Sequence, residues 1–172
     1  MFTWIVQRGA VMRGFISYSH EDMAVCDDLR KQLKATERAY GIEFWIDKRT
    51  PTGRLFDKAI EDAIAASSVH ILLTSSNSLW SDTIMDWEIP AIHEKQRADG
   101  DLVLTVVVDD CRWEGITGTL LASPRDDRLN LKPIKRWHKR NQGLNRVREE
   151  CEAALRDHFG IVPKPMFAWK AK

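Results

Sequence analysis

Residues able to do chemistry gather in four short runs: Tyr18-Ser19-His20, residues 47–53, residues 75–81 and residues 109–114. The familiar catalytic signatures are missing from them. No G-x-G-x-x-G follows the first apolar run and no G-x-x-x-x-G-K-[ST] occurs, which excludes the common dinucleotide and nucleoside-triphosphate loops. There is no G-x-S-x-G elbow, so the serines of Thr74-Ser75-Ser76-Asn77-Ser78 read as turn formers. The five histidines are dispersed, and Cys26, Cys111 and Cys151 lie far apart without C-x-x-C or zinc-type spacing. No metal site is expected. An odd number of scattered cysteines suits a reducing compartment, so a cytoplasmic protein is expected.

The elements that would position these runs follow from hydrophobic period and turn chemistry. Residues 15–19 read as a short strand. From residue 20 to about 36, Met23, Cys26, Leu29 and Leu33 recur three or four apart behind an acidic first turn, which predicts a helix. Residues 42–46 form a second strand, and Pro51 and Gly53 make residues 47–53 a loop. Phe56, Ala59, Ile60, Ala63 and Ile64 give the clearest helical stripe. A strand over 69–74 follows, then a helix over 86–97 whose beginning Pro90 makes irregular. Residues 102–108 are nearly all apolar, as in a strand buried on both faces of a parallel sheet. Residues 109–130 hold short elements, and the last helix spans 142–158.

This alternation of strand and helix argues for a parallel sheet covered by helices on both faces, because parallel strands need crossover connections. Ligands in such sheets sit beyond the carboxyl ends of the strands, where the four polar runs fall. A chain of 172 residues suits one domain with an adequate core. Its 26 Lys and Arg against 25 Asp and Glu leave a net charge of +1, which excludes a nucleic-acid-coating protein. No stretch approaches the roughly 18 apolar residues of a membrane span. The apolar opening MFTWIVQRGAVM is short and its Arg8 follows the apolar residues, so neither a signal peptide nor a membrane partner is expected.

Phe15-Ile16-Ser17-Tyr18-Ser19 ahead of a helix, then Phe44-Trp45-Ile46-Asp47-x-Arg49 with Gly53 and Phe56 before an Ala/Ile helix, resembles the TIR (Toll/interleukin-1 receptor/resistance protein) domain family, in its bacterial type. Ile71-Leu72-Leu73-Thr74-Ser75 is similar to the family's third strand, residues 81–89 to its acidic helix start, and Pro133-Ile134 with Trp137 to its closing aromatic segment. The likeness spans residues 13–159, leaving 1–12 as an N-terminal extension and 160–172 as a tail. It implies a flavodoxin-like α/β fold of three layers, with a central parallel sheet of about five strands.

The resemblance also implies one of two functions: cleavage of NAD⁺ as a substrate, with no further cofactor, or association with other TIR domains as an adaptor, together with a separate effector or sensor protein. In the enzymes of this family one glutamate near the start of the third helix is essential, and Glu88 matches it. Tyr18, Ser19 and His20 match the segment that contacts nucleotide. Asp47, Arg49, Gly53 and Arg54 belong to the loop that covers the site, and Trp113 matches an aromatic of the family's pocket. Ile84 stands where catalytic members often carry an aromatic, and Ser81 is one residue further from the glutamate than usual. The cations Lys132, Lys135, Arg136, Lys139 and Arg140 around Trp137 and His138 read as a charged surface beside the closing segment, and nucleic acid is not an expected partner.

Overall fold

The apolar runs pair as five parallel strands, and the amphipathic segments cross over them. The computed structural model describes residues 11–48, 54–117 and 121–165. Strand β1 (Met12–Ser17) leads through a 3₁₀ turn (His20–Asp22) into α1 (Met23–Tyr40), then β2 (Ile42–Trp45). Helix α2 (Arg54–Ala66), β3 (Val69–Thr74), the short α3 (Ser76–Leu79) and a π-helical turn (Thr83–Glu88) come next. They are followed by α4 (Ile89–Asp99), β4 (Leu102–Val107), α5 (Glu114–Thr117), β5 (Ala122–Ser123) and α6 (Arg140–Phe159).

Every strand pair is parallel and the order across the sheet is β2-β1-β3-β4-β5. This is the flavodoxin-like order, in which the winding reverses between β1 and β3 and opens a crevice at their carboxyl ends. Alternation along the strands divides the core in two. Ile16, Ile71, Leu73, Leu104 and Val106 face Leu29 and Leu33 of α1 and Leu144, Val147 and Leu155 of α6. Phe15, Leu72 and Val103 face Ile60 and Ile64 of α2 and Ile92 of α4. The result is three layers, helix on sheet on helix. No helix among the described residues is long and apolar enough to cross a membrane.

Helix ends depart from the sequence reading for local reasons. The first helix begins only at Met23, because residues 20–22 wind as a 3₁₀ turn with Asp22 N–H donating to Ser19 O at 2.8 Å. It runs on to Tyr40, where Gly41 takes a left-handed conformation (φ 67°) and donates back to Glu37 O at 2.9 Å. The last helix starts at Arg140, two residues earlier than expected.

Within β1, Gly14 allows the ring of Phe44 on β2 to lie against the backbone. A Cβ at this position would stand 2.4 Å from Phe44 Cδ1, and that ring is itself buried. Gly14→Ala is expected to lower stability by about 2 kcal/mol through overpacking, read from the midpoint of urea unfolding. The rim of the sheet carries a second local device. Among the described residues strand β2 pairs only with β1, and the Phe44 N–H donates instead to Glu37 Oε1 of α1 at 3.0 Å.

Candidate functional site

Three segments converge on the crevice at the ends of β1 and β3, and two buried carboxyls, Glu88 and Asp47, line it. From β1 come Phe15 and Ser17, followed by Tyr18, Ser19, His20 and Glu21; from beyond β2 comes Asp47; from the π-helical turn and the loop before it come Ser81, Thr83, Ile84 and Glu88. These residues line a cavity of about 140 Å³. Glu88 is only 6% exposed. Burial pushes its carboxyl up to about 7, against a downward pull from the Ser17 hydroxyl and a further upward push from the charge of Asp47. Ser17 Oγ donates to Glu88 Oε2 at 2.5 Å, inside the range of charge-assisted O–H···O⁻ bonds.

The aim of Glu88 comes from the π-helical turn that ends on it. Pro90, in the first turn of α4, has no N–H, and its ring crowds the carbonyl four residues back, so a regular helix cannot run through Asp86. The backbone takes up an extra residue instead, with Ile89 N–H bonded to Ile84 O, five residues earlier. On an ordinary α-helix Thr83 and Glu88 would point about 140° apart. Here both line the same cavity.

Two buried contacts hold the walls. The Tyr18 hydroxyl donates to the carbonyl of Asp47, tying the end of β1 to the segment after β2, and burial raises this phenol above its usual range. The Ser75 hydroxyl donates to Asp22 Oδ2, and Asn77 Nδ2 donates to Asp22 Oδ1 at 3.1 Å, so the 3₁₀ turn after β1 and the loop after β3 share one carboxylate. Ser75 also caps α3, accepting from Ser78 N–H at 3.1 Å. Asp22→Ala leaves the Ser75 hydroxyl and the Asn77 amide without this acceptor and is expected to cost about 2 kcal/mol of stability, measured by denaturant unfolding.

Of the residues expected at the site, Glu88, Tyr18, Ser19, His20 and Asp47 come together around this cavity. Arg49 and Gly53 lie outside the described residues, and Arg54 opens α2. Trp113 stands just ahead of α5, where its carbonyl accepts from Ile116 N–H at 3.1 Å, and it does not line the cavity. Sequence reasoning missed Ser17, Thr83 and Phe15 as wall residues. The available signal was Ser17 itself, a hydroxyl in an apolar strand on the same side as Phe15. No cysteine supplies a thiolate at neutral pH, since burial pushes Cys26 and Cys151 up to about 12 and Cys111 to about 11. No cluster of metal-ligating side chains occurs among the described residues.

The basic segment is engaged within the chain. Lys135 Nζ bonds Asp109 at 3.0 Å, Arg136 Nε bonds Asp110 at 2.9 Å, and Arg140 reaches Asp28 at 2.6 Å. Lys132 lies 4.8 Å from the Trp137 ring centre, and Trp137 Nε1 donates to Lys132 O at 2.9 Å. This segment anchors the start of α6.

Fold and site define a doubly wound α/β domain with a carboxyl-bearing crevice at its switch point. The TIR domain family model matches residues 15–129, and the chain belongs to that family. It is 31% identical over 159 residues to the uncharacterised protein y4lF of Sinorhizobium fredii, covering 92% of this chain and 47% of that protein. The chain thus spans about half the length of this curated relative. It is also similar to the TIR domains in the structure of the activated Roq1 resistosome recognising the pathogen effector XopQ, at 15% identity and a TM-score of 0.46, over 87% of this chain and 90% of that one.

Proposed function

We propose that this TIR domain cleaves the bond between nicotinamide and ribose in NAD⁺, as a hydrolase or an ADP-ribose cyclase, with Glu88 as the essential carboxylate. The observation that carries this reading is a buried glutamate at the mouth of the β1/β3 crevice, held by one oxygen and facing a cavity. Nicotinamide leaves NAD⁺ as a neutral molecule, taking the electron pair of the broken C–N bond, so no general acid is needed at the leaving group. The positive charge passes from the pyridinium ring to the ribose, as an oxocarbenium ion. A fixed, desolvated carboxylate stabilises that charge where it develops. Water attack on the sugar then gives ADP-ribose and a proton; attack by the adenine of the same molecule gives a cyclic product and a proton.

In this reading Tyr18, Ser19, His20 and Asp47 contact the nucleotide from the cavity wall. For Arg49, Gly53 and Arg54 the resemblance implies a part in covering the site, where an arginine would hold the pyrophosphate by charge-assisted hydrogen bonds, and Trp113 would stack on a base outside the cavity. The setting proposed is cytoplasmic signalling in bacterial immunity against phage, which rests on the family alone. The test is to incubate concentrated or artificially clustered protein with NAD⁺ and separate the products by chromatography. Nicotinamide release supports the enzyme, and the partner product separates hydrolysis from cyclisation.

A second reading, a non-catalytic adaptor that binds other TIR domains, is favoured by Trp80 and Trp87, which are 90% and 65% exposed beside the site. No nicotinamide from clustered protein would support it.

A further inference from the structure

Ser17 breaks the apolar pattern of β1 at its last residue. It is 2% exposed, and strand parity turns it to the same side as Phe15, toward α2, α4 and the π-helical turn. A hydroxyl buried this deeply needs a partner, and Glu88, 71 residues away in sequence, is that partner. The hydrogen bond occupies Oε2. Among the described residues no hydrogen bond reaches Oε1. Among the described residues the carboxyl is therefore held on one side by the sheet, with its other oxygen left to the cavity.

The other ionisable groups around it come from three directions. Tyr18, His20 and Glu21 stand on the segment after β1 and Asp47 on the segment after β2. Glu61 of α2 lies across a smaller cleft of about 80 Å³ shared with Thr83 and Trp87. Burial and the charge of Asp47 favour a protonated Glu88. Ser17 is the neighbour whose hydrogen bond favours the ionised form.

We infer that Ser17 is a positioning residue for Glu88: its hydroxyl clamps Oε2, leaves Oε1 to the cavity and, as a donor, favours the carboxylate over the neutral acid. The inference deepens the NAD⁺-cleaving reading and rests on it for its functional consequence, but the clamp is measurable without substrate. Full-length protein labelled with ¹³C at glutamate side-chain carboxyls is titrated by NMR, with the Glu88 signal assigned by its loss in Glu88→Gln. In Ser17→Ala the proton affinity of Glu88 is expected to rise about tenfold, the weight of one hydrogen bond to a charged group. Ser17→Cys, with a weaker donor of similar size, should fall between.

A second measurement reads the same clamp through activity. Nicotinamide release by Ser17→Ala should be depressed most at neutral pH and recover toward wild type above pH 8, whereas Glu88→Gln should not recover at any pH. A Glu88 midpoint unchanged in folded Ser17→Ala and Ser17→Cys overturns the positioning role, whatever the protein does to NAD⁺. So does an activity deficit of equal size at every pH. A raised midpoint in a protein that releases no nicotinamide upholds the role of Ser17 and overturns the enzyme reading instead.

Discussion

Glu88→Gln is expected to slow nicotinamide release from NAD⁺ by about 10²–10³-fold, the usual effect of removing one electrostatic contact made in the transition state. Glutamine keeps the length and shape of the side chain and can still accept from the Ser17 hydroxyl, so the cavity walls stay in place. What disappears is the negative charge. On the proposed reading, that charge would face an already cationic pyridinium in the ground state and a ribose that has become cationic in the transition state. If the carboxylate stabilises the ribose charge more than the pyridinium charge, the loss falls mainly on kcat and less on KM. Initial rates of nicotinamide formation, measured on clustered wild type and variant at equal concentration, give both constants. Equal rates in the two proteins would remove Glu88 from the reaction.

The same substitution is expected to make the fold more stable by about 3 kcal/mol at pH 8 to 9. Burial raises the Glu88 carboxyl from its ordinary value of 4.5 to about 7. Between those two values the folded chain holds a proton that the unfolded chain has released. The stabilisation this represents is fully present below the unfolded value of 4.5 and is lost as pH rises through about 7. Above that pH the native state carries a charge it solvates poorly. Glutamine never acquires the charge, so its stability does not fall through this window. Urea unfolding of both proteins at pH 4.5, 6 and 8.5 measures the gap, which should open with pH. Curves that stay parallel would mean that Glu88 is not strained by burial. A residue that weakens the fold where it stands is the expected mark of a site kept for chemistry.

The strands were legible because their runs are mostly apolar and the turns between them are marked. Ile42 to Trp45 after Gly41, and Leu102 to Val107 after Gly100, show this plainly. The π-helical turn was not legible. Pro90 announced an irregular helix start, but whether a chain answers a missing N–H with a break, a kink or an added residue depends on what must be buried on either side. Here Ile84 and Ile89 both enter the core, and the added residue lets them do so while Glu88 turns to the crevice. Strand β5 escaped because it has two residues, Ala122 and Ser123, held by pairing with β4 rather than by any pattern of their own. At the site, Tyr18, Ser19, His20 and Asp47 were readable from their places at strand ends. Ser17 was not, because a residue inside a strand declares its side only when its parity is set beside that of Phe15.

The bond from Phe44 N–H to Glu37 bears on how copies of this protein can meet. A bare outer strand is a template on which another chain can lay its backbone, and proteins commonly block it with charge. On β2 a carboxylate reaching over from α1 already occupies that donor. At the opposite border β5 is only two residues long, too short to recruit a neighbour by its main chain. Among the described residues both borders of the sheet thus offer little main chain to a neighbour, and a gathering of copies is expected to be built from side chains on helices and loops, where it can be undone.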